Sequence, residues 1–300
     1  MLNDLKLKHF LKEDLPFPRH AALFLSGQGS NAEAVLNDLA ESPADYVISV
    51  LVTDNPERSR ARELSEKFGV PLIGHDLKKF YADHGAASTS LATEAGRRLR
   101  ALWTDDLRKK LAEYPVDFGI LAGFMTLCNI AEDFPCLNVH PGDLTVTDAA
   151  GRRILAGLHS GPVEEVLCSP ELDSFRSSVI VVRPFSGDGA DDMDTGFILG
   201  VSGAVPAYRA GRTAEDWQLV RRNRVPGGRV KDSLRSLALE NIENLKVLGD
   251  HVVLPAVLRQ FASGNYAHKD GQLFCKDVHG NWAAVQTVCY SSSSEMVLWK

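Results

Sequence analysis

Long apolar stretches are missing from this chain of 300 residues, and without a run of about 18 such residues it has no segment that spans a bilayer as a helix. Met1 to His20 alternates charged and apolar side chains and lacks the uninterrupted apolar core of a secretory signal. Basic residues are not in excess. With 33 Lys and Arg against 39 Asp and Glu, the formal charge of −6 gives no overall basic surface for a nucleic-acid backbone. A local basic patch for a phosphorylated small molecule is still compatible with that balance. Cysteine is scarce: Cys128, Cys136, Cys168, Cys275 and Cys289 form no C-x-x-C pair and no metal-ligand spacing. An odd count of this kind points to free buried thiols in a reducing cytoplasm and to no bound metal. Repeats and low-complexity segments are also absent. What remains is the composition of a globular protein, 44% hydrophobic and 24% charged, long enough for one large domain with an appendage. The expectation is a cytoplasmic protein with no membrane or nucleic-acid partner.

Against that background, strand and helix signals alternate. Ala21 to Leu25 reads as a buried strand running into Ser26-Gly27-Gln28-Gly29-Ser30-Asn31 and a helix to about Ala40. Tyr46 to Val52 is a second strand, Arg58 to Phe68 a helix, and Val70 to Ile73 a short third strand. A long amphipathic helix from about Ser88 to Glu113 leads to Phe118-Gly119-Ile120-Leu121, an apolar run that ends at Gly123 as buried parallel strands do. The rhythm predicts a doubly wound, Rossmann-like α/β fold with a mostly parallel sheet over residues 20 to about 145. Later, Gly161 to Leu167 reads as a helix, and Ser177 to Val182 and Phe197 to Val205 as strands of an antiparallel extension. Residues 206–232 are basic and turn-rich and read as a surface insertion, while Leu234 to Phe261 is helical with Pro255 kinking it or opening a second helix. The last thirty residues show no clear periodicity. The expected organisation is an N-terminal extension (1–19), a catalytic domain (20–205), the insertion (206–232), a helical continuation (233–265) and a C-terminal tail (266–300).

Four constellations could carry chemistry. Gly27-x-Gly29-x-x-Ala32, between strand and helix, would offer free N–H groups and a helix N-terminus to an anion, with Ser30 and Asn31 adding donors. It reads equally as a tight turn capped by Ser30 or Asn31, or as a Rossmann fingerprint with Asp54 placed for a ribose. Asn138 and His140, two apart on a strand stopped by Pro141, leave one face together and could polarise a carbonyl and move a proton. Asp191-Asp192-Met193-Asp194-Thr195-Gly196 is an acidic run that would more often be a solvated loop or a weak cation site. Leu158-His159 adds a helix start with no chemistry of its own.

Taken in order, these pieces resemble the formyltransferase family that uses 10-formyltetrahydrofolate, closest to its glycinamide ribonucleotide branch in purine biosynthesis. Ser26 to Asn31, Leu121-Ala122-Gly123-Phe124-Met125, Leu137-Asn138-Val139-His140-Pro141, Leu158-His159 and Met193-Asp194-Thr195-Gly196 carry the resemblance. It implies a formyltransferase-type sheet with a C-terminal helix and an extra tail. Asn138 would bond the formyl oxygen as charge develops, His140 would shuttle a proton, and Asp194 would accept from or orient His140. The main chain of Phe124, Met125, Thr126, Leu127 and Cys128 would line the folate pocket. Gly27, Gly29, Ser30 and Asn31 would hold the acceptor's phosphate, and Asp250 would meet its amine. The implied partners are the folate donor and a small amine acceptor, with no metal and with a homodimer allowed.

Several positions depart from the family pattern. The usual Ser-Leu-Leu-Pro after the catalytic His-Pro is here Gly142-Asp143-Leu144-Thr145, and Val146 to Ile154 loses an apolar, proline-containing segment. Ile180 stands where the ribonucleotide branch has a histidine, and Asp250-His251 replaces Glu-His. These changes imply an acceptor other than glycinamide ribonucleotide. Two alternatives are a hydrolase of 10-formyltetrahydrofolate, although twenty leading residues leave no room for the regulatory domain usual in that branch, and an NAD-binding oxidoreductase or nucleotide-binding module built on the Gly27 turn.

Overall fold

A computed structural model describes residues 6–157, 160–184, 194–225, 231–291 and 295–299. Leu158, His159 and the Asp191 to Met193 part of the acidic run lie outside the described residues. The chain is α/β and falls into two compact units. The first comprises Met1–Asn138, Val181–Gly196 and Leu258–Lys269, and the second Val139–Ile180, Phe197–Val257 and Asp270–Lys300.

Chain order begins with β1 (Lys8–His9), β2 (Arg19–Phe24), α1 (Ser30–Glu41), β3 (Tyr46–Thr53), α2 (Ala61–Phe68) and β4 (Leu72–Gly74). It continues with α3 (Leu77–Asp83), α4 (Glu94–Leu111), β5 (Phe118–Leu121) and β6 (Cys136–His140). The strands β2 to β6 run parallel: β2 lies between β3 and β5, β4 flanks β3, and β6 flanks β5. Their apolar runs are buried on both faces, the condition for a parallel sheet. One face packs Ala22, Phe24, Val50, Val52 and Ile73 against Trp103, Leu107 and Leu111 of α4. That helix starts later than its pattern predicts, because the Thr93 side chain accepts from Gly96 N and caps it there.

The register fixes which ends of the strands coincide. Ile73, Val52, Phe24, Leu121 and Asn138 stand in one row across five strands. Within two residues of that row each strand ends, all at the same edge of the sheet. Ligands of open α/β sheets bind outside this carboxyl edge.

The second unit holds α5 (Gly161–Cys168), β7 (Ser174–Phe175), β8 (Ser178–Val181), β9 (Ile198–Ser202), β10 (Val205–Pro206), α6 (Ala214–Arg222) and α7 (Ser233–Leu245). After α7 come a π-helical turn (Lys246–Asp250) and α8 (His251–Ala262), then β11 (Tyr266–Lys269), β12 (Gln272–Lys276), β13 (Trp282–Val285), β14 (Thr287–Tyr290) and β15 (Met296–Trp299). Here β9 pairs antiparallel with β8 and parallel with β14, and β15 pairs antiparallel with β14. The antiparallel extension is therefore present. So is a set of C-terminal strands that the sequence pattern does not reveal.

Two expectations need correction. The 206–232 stretch is more than a loop on the surface: α6 buries Trp217 with Val163, Leu167, Leu234 and Leu245, and the Trp217 indole donates to Arg209 O at 3.0 Å. Its charges are paired too, Arg224 with Glu164 and Asp232 at 2.6 Å each. Pro255 does not open α8. It lies inside α8, and the π-helical turn makes the break. Among the described residues, no helix is long and apolar enough to cross a membrane. All five cysteines are free, with Cys136, Cys168 and Cys275 buried.

Candidate active site

Three neighbouring strands, β2, β5 and β6, leave the sheet at one edge. After β2 the chain turns through Gly27 to Gly29, which is the N-cap of α1 in the left-handed region (φ 66°) and supplies no side-chain cap. Neither Ser30 nor Asn31 takes the capping position, so the turn differs from the bland capped form. A Cβ on Gly29 would stand 2.8 Å from Leu25 Cδ1 and 3.1 Å from Leu64 Cδ1, so apolar packing beneath the turn also demands glycine. Arg60 braces the outside, its N–H donating to Gly27 O at 3.1 Å and Nη1 to Gln28 O at 3.3 Å. The same guanidinium pairs with Glu33 at 2.9 Å, and hydrogen bonds from Lys67 and Arg60 hold the Glu33 carboxyl below its usual range. Nothing in the sequence alone singles Arg60 out.

The second segment follows β5. Gly123 takes a positive φ of 75°, and its carbonyl accepts from Ser26 N at 3.3 Å. Met125 N donates to Ser26 Oγ at 2.9 Å, tying this loop to the glycine turn. Phe124 packs edge-on against Phe24 with ring centroids 5.4 Å apart. Arg100 Nη1 donates to Leu127 O at 2.6 Å, and burial pushes the Cys128 thiol up to about 11. Among the described residues, the peptide groups of Phe124 and Thr126 make no hydrogen bond.

Asp54, the residue a dinucleotide site would need for a ribose, accepts from the Thr126 hydroxyl in a short hydrogen bond. This pair joins the end of β3 to the loop after β5, and the sequence gives no hint of it.

The third segment is β6. Asn138 stands in the common row, and His140 follows two residues on along the same strand, its imidazole 4% exposed. His140 Nε2 is 2.7 Å from Leu155 O. Asp194 is buried, not solvated as an isolated acidic loop would be. Asp250 ends the π-helical turn and is also buried, its Oδ1 accepting from Ser177 Oγ at 2.5 Å. Asp143 is committed locally, accepting from Thr145 N at 3.0 Å and pairing with Arg176 at 3.5 Å. Among the described residues, no group of three or more His, Cys, Asp or Glu is placed to hold a metal ion.

Residues 19–144, which carry β2 through β6 and all three segments, match the family described as formyl transferase. The match spans less than half of the chain. The chain is 24% identical to phosphoribosylglycinamide formyltransferase of Bacillus subtilis (strain 168) over 181 residues, 58% of this chain and 83% of that protein. Its fold is similar to that of phosphoribosylglycinamide formyltransferase from Coxiella burnetii, with a TM-score of 0.57 at 16% identity, covering 91% of this chain and 99% of that one. Glycinamide ribonucleotide transformylase 1 from Symbiobacterium toebii gives a TM-score of 0.56 at 19% identity, covering 89% and 99%. The likeness of fold extends beyond the matched residues, since both structures span most of this chain.

Proposed function

We propose that this chain is a formyl transferase, moving a formyl group from 10-formyltetrahydrofolate to the amine of a small, phosphorylated acceptor. One observation carries the reading. The row Phe24, Leu121 and Asn138 brings the glycine turn, the Phe124 to Cys128 loop and the Asn138 strand out of one sheet edge in adjacent positions.

Each segment then has one task. The N-terminus of α1, with Gly29 as its cap, offers main-chain N–H groups of Ser30 and Asn31 to a phosphate. The Phe124 to Cys128 main chain binds the pterin, held in place by Ser26, Asp54 and Arg100. The donor supplies an activated formyl carbon. Asn138 donates its amide N–H to the formyl oxygen as negative charge grows there. His140 takes the proton that the attacking amine must lose, and Asp194 orients it. The nucleophile belongs to the acceptor, so the chain forms no covalent link to the formyl group.

The acceptor is a phosphorylated amine other than glycinamide ribonucleotide. In support, the acceptor side differs from the ribonucleotide branch at Gly142, Asp143 and Ile180. Asp250 is shorter than the expected glutamate by one methylene, and Ser177 engages its carboxylate. The dinucleotide reading loses support because residues 19–144 match the formyl transferase family. Thermal stabilisation separates the readings: a folate analogue raises the melting temperature and NAD leaves it unchanged. The opposite pattern would remove the folate reading.

A further inference from the structure

The C-terminal strands, an appended tail by sequence, reach the loop through which the chain leaves His140. Trp299 of β15 and Cys289 of β14 pack against a buried cluster of Leu144, Ile180, Ile198 and Val201, and Leu144 belongs to that loop. A second contact is ionic. The Arg176 guanidinium lies over the Trp299 ring, 4.9 Å from its centroid, and its Nη1 donates to Ser202 O at 2.6 Å. Arg176 Nε stands 3.5 Å from Asp143 Oδ2, with the two side chains only 22% and 13% exposed. Solvent screens a pair so covered only weakly, and the ring face attracts the cation it shields. The loop itself has little slack. Ser178 Oγ, fully buried, donates to Gly142 O at 2.7 Å and accepts from Leu144 N at 3.0 Å. Asp143 Oδ1 accepts from Thr145 N at 3.0 Å and from its hydroxyl at 2.5 Å. A Cβ on Gly142 would stand 2.6 Å from Leu155 O and 2.9 Å from His140 Nε2. A small shift of this loop therefore presses on the histidine ring or opens a gap beside it.

We propose that Arg176 is a positioning residue set by the C-terminal strands: Trp299 holds its guanidinium, the guanidinium holds Asp143, and Asp143 holds the loop beside His140. β15 is then a working part of the site and not an appendage. The link between β15 and the loop stands by itself, whereas its effect on turnover rests on the formyl-transfer reading.

The test is hydrogen exchange at the Leu144 amide of the full chain, read by NMR, in Trp299→Leu, Asp143→Asn and the double variant. Leucine keeps an apolar contact and removes the ring face. Loss of a desolvated cation–ring contact should speed exchange at Leu144 about 10-fold, and Trp299→Phe should restore most of the protection. Because Trp299 acts on Asp143 through Arg176, Trp299→Leu should add little where Asp143→Asn is already present. Wild-type exchange in Trp299→Leu overturns the proposal. Full additivity in the double variant does so too, since the ring would then act by apolar packing alone. If Trp299→Leu does not fold by circular dichroism, Arg176→Met takes its place: faster exchange at Leu144 supports the link, and wild-type exchange overturns it. Turnover is read as tetrahydrofolate released from 10-formyltetrahydrofolate with a panel of phosphorylated amines. In Trp299→Leu kcat should fall by up to about 100-fold, the scale of a small misplacement, and recover in Trp299→Phe while KM for the donor holds. Faster exchange with wild-type kcat would overturn the positioning role. No release by the wild-type chain, with the exchange result intact, would refute the transfer reading and leave the link standing.

Discussion

At Gly29 the backbone takes a conformation that costs other residues about 1–2 kcal/mol, and the contact with Leu25 adds to it. Gly29→Ala should therefore lower the urea midpoint and weaken phosphate binding together; an unchanged midpoint would mean the turn relaxes freely. Asn138→Ala should cut kcat by about 100- to 1000-fold, as loss of an oxyanion donor does, with donor affinity measured by titration hardly altered. His75 governs a pH effect. Burial holds its imidazole below the ordinary value of 6.5 despite Asp106 at 3.6 Å, and the ring stacks on Trp103. The folded form thus favours the neutral ring. That stability is present above about pH 6.5 and is lost as pH falls through the lower folded value. Melting temperature should drop less from about pH 7.5 to about pH 5 in His75→Gln than in the wild type. An equal drop would assign the acid sensitivity elsewhere. At this scale the Gly27 turn and the Asn138/His140 pair were legible, since both are spacings on predicted strand ends. The Asp54–Thr126 and Arg60–Gln28 contacts were not, because they join residues 72 and 32 positions apart that only the parallel register brings close.

Helices and strands were readable where one periodicity held over a whole segment. The four strands β2, β3, β5 and β6 are short apolar runs that end at turn residues, which single-chain patterning reports well. The C-terminal strands were not legible: β12 to β15 mix buried and exposed residues without a regular alternation. α6 hid within a basic, turn-rich stretch, although its capping box, Thr213 with Asp216, is visible in the sequence. Its docking makes a quantitative prediction. Trp217 is 3% exposed and fills the cluster between α5 and α7, so Trp217→Ala should cost about 3–5 kcal/mol, the usual range for emptying such a site. Chemical denaturation would measure it. A loss below about 1 kcal/mol, the range of ordinary surface changes, would restore the view of 206–232 as a surface insertion.

For the whole molecule, the sequence carried the fold class and the order of the functional segments, because the formyl transferase motifs lie at the ends of strands that the pattern already predicts. It did not carry the acceptor, which in the reading proposed above meets the loop from Gly142 to Leu155 and Asp250. The central claim is transfer of one formyl group to a phosphorylated amine. Its most direct test incubates the full chain with 10-formyltetrahydrofolate and a panel of phosphorylated amines, glycinamide ribonucleotide included, and weighs the products by mass spectrometry. The account predicts a gain of one formyl group on one such amine, in proportion to tetrahydrofolate released, with Asn138→Ala nearly silent and glycinamide ribonucleotide a poor acceptor. Tetrahydrofolate released with formate and no formylated amine would contradict it and make the chain a hydrolase.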